Sequence, residues 1–141
     1  MNHAMITWIQ NPATDLERAV IFYNATFGFE FLLKELNGIE HALIKPDPNG
    51  TVFMNGALIK VEKNMGGIGP ILFFEATGKF DFMLNAVEEN GGQVLIHKTL
   101  IKNKTGAGSS FIPKTYIDNE PGYYAHFLDS EGNKMGLYGR N

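Results

Sequence analysis

Pro12-Ala13-Thr14-Asp15-Leu16-Glu17-Arg18-Ala19-Val20-Ile21-Phe22-Tyr23, closed by Phe27-Gly28-Phe29, is the stretch on which the reading of the fold turns. Thr14 or Asp15 can cap a helix. Leu16, Ala19, Val20, Phe22, Tyr23 and Phe27 then recur at spacings of three and four, and Gly28 stands where a left-handed residue would stop it. The run before it, Met5 to Gln10, is β-branched and aromatic and is read as a strand ended by Asn11-Pro12. Three short apolar runs follow: Phe29 to Leu33, Glu40 to Lys45 and, beyond the turn Pro46-Asp47-Pro48-Asn49-Gly50, Ala57 to Glu62. The order is β-α-β-β-β.

The same order is predicted a second time. Asn64-Met65-Gly66-Gly67-Ile68-Gly69 reads as a linker, and after Pro70 the chain restarts with Ile71-Leu72-Phe73-Phe74. Phe80, Met83, Leu84 and Val87 carry helical periodicity that Asn90-Gly91-Gly92 stops, and Gln93 to His97 reads as a strand. Lys102 to Ser110 reads as a polar, glycine-rich loop leading to Tyr123 to Leu128, the turn Asp129 to Asn133, and Lys134 to Tyr138. Two units of about 65 residues with one helix each imply an internal duplication and an α+β fold with curved, mostly antiparallel sheets. The expected organisation is one domain over residues 1–141: module 1 at about 1–63, a linker at 64–69 and module 2 at about 70–141.

Composition narrows the function classes. With 44% hydrophobic and 19% charged residues, the 141-residue chain can build a core and is neither disordered nor a coiled coil. A net charge of −3 without a run of like charge marks no surface for nucleic acid or anionic lipid. The absence of cysteine excludes disulfides, thiolate metal sites and thiol nucleophiles. Residues 1–5 have neither a basic nor an apolar targeting region, and no apolar run is long enough to span a membrane, so a cytoplasmic protein is the expectation.

The helical stretch of Asp15-Leu16-Glu17-Arg18-Ala19, Phe22-Tyr23 and Phe27-Gly28 resembles the first module of the vicinal-oxygen-chelate superfamily. Gly122 to Asn133, with Asp129-Ser130-Glu131-Gly132-Asn133 as its turn, is similar to that superfamily's last hairpin. The superfamily includes glyoxalase I, extradiol dioxygenases, methylmalonyl-CoA epimerase and the fosfomycin and bleomycin resistance proteins, so the resemblance implies a fold and leaves the chemistry to the site.

Metal-dependent members place ligands on the inner strands, and the resemblance says where to look for them. The first His, about seven residues before the Asp of the Asp-Leu motif, corresponds to Trp8, whose indole nitrogen cannot ligate. The final Glu, four residues after the Gly of the last turn, corresponds to Gly136. The other two positions fall near Leu58 and Pro70. The expectation is therefore no metal and no cofactor. A relocated site from His97, His126, Glu62 and Glu75 is the alternative, although no two of them have a recognised ligand spacing.

Strand parity supplies the candidate pocket, because side chains two apart share a face. Trp8 and Gln10 are expected inward, as are Leu58 and Lys60, with Ala57, Ile59 and Val61 under the helix. Phe74, Tyr124, His126 and Tyr138 complete an aromatic lining, with Gly136 leaving room beside Tyr138. Each has a plainer alternative reading: the rings as core filling, and Lys60, His97 and His126 as solvated rim residues. The function expected is metal-independent binding of a small molecule, by a homodimer as the resemblance implies. The rival is a lyase, isomerase or dioxygenase with a displaced metal site or with acid–base chemistry from His126, His97 or Lys60.

Overall fold

The computed structural model describes residues 6, 8–47, 49, 55–64, 69–101 and 122–141. The loop expected at Lys102 to Ser110 and most of the expected linker lie outside the described residues. The first unit comprises β1 (Ile9–Ala13), α1 (Leu16–Phe27), β2 (Phe31–Leu36), β3 (Ile39–Ile44) and β4 (Gly56–Lys60). The second comprises β5 (Phe73–Glu75), α2 (Phe80–Glu89), β6 (Gln93–Leu100), β7 (Tyr123–Leu128) and β8 (Lys134–Gly139). Each unit forms a four-stranded sheet, ordered β1-β4-β3-β2 and β5-β8-β7-β6, in which only the first pair of strands is parallel. Among the described residues, no helix is long and apolar enough to cross a membrane.

Asp15 is the N-cap of α1, its Oδ1 accepting the Arg18 N–H at 3.0 Å, and Gly28 ends the helix at φ 72°. The first strand departs from the sequence reading, for it runs through Asn11-Pro12 instead of stopping there. The reason is its place at the sheet edge. The Ile9 N–H donates to Asn55 and the Ala13 carbonyl accepts from Val61, so the odd residues pair with β4. Pro12 belongs to the even set that faces off the edge, where no donor is required.

One core lies between the two sheets, and α1 is packed inside it. Phe27 stacks on Phe74 with ring centroids 4.2 Å apart, and Phe22 reaches Phe127 of the second sheet at 6.3 Å. Ala13, Ala42 and Leu58 contribute the first sheet's side of this core, and Phe74, Ala125, Phe127 and Leu137 the second's. Gly92 sits where α2 turns into β6 against these groups. A Cβ there would lie 2.5 Å from the Leu128 carbonyl oxygen and 2.9 Å from the Phe22 ring. Because the first obstacle is backbone, Gly92→Ala is expected to destabilise by about 2 kcal/mol, read as a lower urea midpoint at unchanged slope. An unchanged midpoint would mean that β6 moves aside at no cost.

The units are also joined through polar groups. Asp129, 2% exposed, accepts hydrogen bonds from the Tyr23 hydroxyl at 2.6 Å, the N–H groups of Glu131 and Asn133 at 2.8 Å, and Asn133 Nδ2 at 2.9 Å. Asn133 Nδ2 donates to the Pro12 carbonyl at 3.0 Å. The Glu131 carboxylate accepts from Thr14 Oγ1, the Asp15 N–H, and Arg18 Nε and Nη2 at 2.7–3.2 Å. Asn64, at the end of the first unit, donates to the Glu131 carbonyl at 2.6 Å. The last turn of the chain thus clasps the start of the first helix.

Candidate functional site

Because each sheet gives its helix-bearing face to the core, the opposite faces are turned away from it. On the first sheet the register pairs Gln10 with Ala57, Leu43 with Ala57 and His41 with Ile59, which puts these residues on the outward face. Trp8, two residues before Gln10, shares that side and is 46% exposed. Gln10 Nε2 lies 3.4 Å from His41 Nε2, and His41 Nδ1 lies 2.8 Å from the Ile39 carbonyl oxygen.

The second sheet's outward face carries Phe73, Glu75, Tyr124, His126, Gly136 and Tyr138, through the pairs Phe73–Gly136, Glu75–Tyr138, Tyr124–Tyr138 and His126–Gly136. Phe73 is 45% exposed and covers Gly136 so closely that a Cβ there would meet its ring at 2.4 Å. His126 lies edge-on between Phe73 and Tyr124, with centroids 5.6 and 5.4 Å away. Tyr138 is 5% exposed, closed in with Ile101 and Tyr124 in a small cluster apart from the main core. Glu75 Oε1 accepts from the Thr77 N–H at 2.8 Å and from its hydroxyl.

His126 Nδ1 is buried without a hydrogen-bond partner. Burial, and then the charge of Lys134, hold the His126 pKa below the ordinary imidazole value, so the ring is neutral at physiological pH.

Of the residues read as pocket lining, Trp8 and Gln10 lie on one outward face, and Tyr124, His126 and Tyr138 on the other. Leu58, Lys60 and Phe74 do not. The phase of β4 is the reverse of the parity reading: Leu58 faces α1 with Asn11 and Ala42, while Ala57 and Ile59 face outward. Lys60 is on the Leu58 side and donates to the Thr14 carbonyl. On β5 it is Phe73 that faces outward, and Phe74 is in the core. Leu58 and Phe74 instead border an internal cavity of about 10 Å³, room for one water at most. His41, Phe73 and Glu75 are among the outward residues that the lining reading omitted. His97 and Glu62 are exposed.

The residues at the positions where the superfamily's enzymes hold a divalent metal do not fit one. Trp8 offers an indole, Gly136 no side chain, Ala57 and Ile59 no donor, and the Phe73 ring occupies the space over Gly136. Among the described residues, no group of three His, Asp or Glu side chains is placed to hold one ion.

The family model of the glyoxalase/bleomycin resistance protein/dioxygenase superfamily matches residues 3–137. The chain belongs to that superfamily. Its fold agrees: a glyoxalase/bleomycin resistance protein from Albidiferax ferrireducens T118 superimposes with a TM-score of 0.64 at 19% identity, covering 97% of this chain and 100% of that one. A glyoxalase-related enzyme from Fulvimarina pelagi gives 0.65 at 13% identity, covering 96% and 88%. The genomically encoded fosfomycin resistance protein of Listeria monocytogenes, solved with manganese(II) and sulfate, gives 0.64 at 10% identity, covering 100% and 95%. No curated protein matches the chain by sequence. At such identities the likeness is one of fold, and within the glyoxalase/bleomycin resistance superfamily the chemistry has to be argued from the two outward faces.

Proposed function

We propose that this chain binds a small, partly aromatic molecule without a metal ion, and that the binding unit is a homodimer. The observation that carries the reading is that both outward faces present large exposed rings, Trp8 and Phe73, at positions with no metal-ligating side chain. The two faces belong to sheets that are back to back across one core, so one chain cannot close them upon a ligand. A second copy, its second-sheet face laid against the first-sheet face of its neighbour, makes two equivalent sites. Leu32, Leu36 and Ile39, exposed on the Trp8 side, and Ile96, opposite His126, supply apolar area for such an interface.

Trp8 is the only tryptophan, so its emission reports on the site directly. The expected result is a dimer in sedimentation equilibrium and a saturable change in Trp8 emission with one or more planar compounds, unaltered by a chelator. Stoichiometric metal in the purified protein, lost together with the Trp8 response on chelation, would overturn the reading. A second reading, an isomerase or lyase using His126 as a base, draws support from the depressed pKa of that ring. It requires turnover that His126→Phe abolishes while the Trp8 response persists.

A further inference from the structure

We infer that His41 locks the Gln10 side-chain amide in one orientation, so that Gln10 presents its carbonyl oxygen to the open face and selects ligands that bear an N–H or O–H donor. The inference rests on reading the Trp8 face as a binding face, and it follows from hydrogen-bond bookkeeping along three groups. A backbone carbonyl only accepts, so the 2.8 Å contact between His41 Nδ1 and the Ile39 oxygen requires the proton on Nδ1. In the neutral ring Nε2 is then a bare acceptor. The group of Gln10 facing it at 3.4 Å has to be the amide nitrogen, since the amide oxygen would set lone pair against lone pair. Gln10 Oε1 is consequently turned away from His41.

His41 is itself only 8% exposed and is held by its own strand, whereas Gln10 is exposed at the edge strand β1. The rigid partner thereby fixes the mobile one, and an amide that would otherwise present either end to a ligand presents one. With Trp8 two residues along the same face, the chemistry recognised is a flat ring carrying a donor: a carboxamide, an amino-substituted ring or a heteroaromatic N–H. Gln10 is a specificity-determining residue in this account, and His41 is the positioning residue behind it.

The test compares benzamide with methyl benzoate, close in shape but differing in N–H donors, by titration against the full chain while following the Trp8 indole and Gln10 amide signals in NMR spectra. Benzamide is expected to bind on the order of three- to tenfold more tightly, the span of one net hydrogen bond. Gln10→Met should remove the preference for benzamide over methyl benzoate. Independently of any ligand, long-range imidazole correlations of the neutral ring should show the His41 proton on Nδ1 and Nε2 bare, the assignment being made by loss of the signal in His41→Asn. A proton on Nε2 of neutral His41 overturns the inference whatever binds. A Trp8 response without preference for benzamide overturns it alone and leaves the binding face standing. Silence of Trp8 toward both compounds, and toward the planar compounds of the binding test, removes the binding face and this inference together.

Discussion

Asp129→Ala is expected to destabilise the protein by about 3–5 kcal/mol and to lower Tm by roughly 10–15 °C. Four donors converge on this one carboxylate, and each loses that acceptor when it goes. Two are backbone N–H groups of its own turn, one is the Asn133 amide that also reaches Pro12, and one is the Tyr23 hydroxyl on a residue that is 2% exposed. Burial, followed by the Asp129 charge and hydrogen bond, raises the Tyr23 pKa well above its ordinary value, so the hydroxyl remains a donor throughout the accessible pH range. The cost of the substitution is therefore the desolvation of unpaired donors rather than the loss of a favourable contact. Tyr23→Phe removes one donor and leaves three on Asp129, so it should cost only about 1–2 kcal/mol. The double variant should cost less than the sum of the singles. A Tm for Asp129→Ala within the scatter of the wild type would refute this account of the clasp.

The clasp also explains why the fold is legible in the sequence. Asp15-Leu16-Glu17-Arg18 and Asp129 to Asn133 are local signals, a capped helix start and a tight turn with Gly132 at φ 83°. In the folded chain these two signals touch, through Arg18 and Glu131 and through Asn133 and Pro12. The face of each candidate side chain is legible only where hydropathy alternates. On β7, Tyr124 and His126 alternate with buried Ala125 and Phe127, and the faces separate by inspection. On β4 and β5 the neighbours Ala57 and Leu58, and Phe73 and Phe74, are apolar on both sides. With no contrast to set the phase, a one-residue slip exchanged the faces. Trp8 and Gln10 are free of this ambiguity because the helix motif that follows them sets their phase. His41 could not be singled out, since its role depends on which ring nitrogen meets the Ile39 carbonyl.

Acid should loosen the other half of the clasp, and Glu131→Gln should reveal it. Burial by itself pushes the Glu131 carboxyl up, but hydrogen bonds from Arg18, the Asp15 N–H and Ser130, with the Arg18 charge, more than reverse this and bring it from 4.5 down to about 2. The folded pKa is depressed, so the unfolded chain binds the proton more readily. The stabilisation is complete above about pH 4.5 and is lost as pH falls toward about 2. The full shift corresponds to about 3 kcal/mol, and because the Arg18 side chain is 50% exposed, solvent screening should bring the measured figure to about 1–3 kcal/mol. Urea midpoints taken stepwise from neutral pH down through the carboxylate range should show the wild type above Glu131→Gln at neutrality and converging on it in acid. Added salt should erode only part of the difference, because Glu131 keeps its backbone bond to Asp15 when the guanidinium is screened. Curves that stay parallel across the range would mean that Glu131 carries no more of the protonation linkage than an exposed carboxylate does. The joint between the two units would then rest on Asp129, Asn133 and the stacked rings alone.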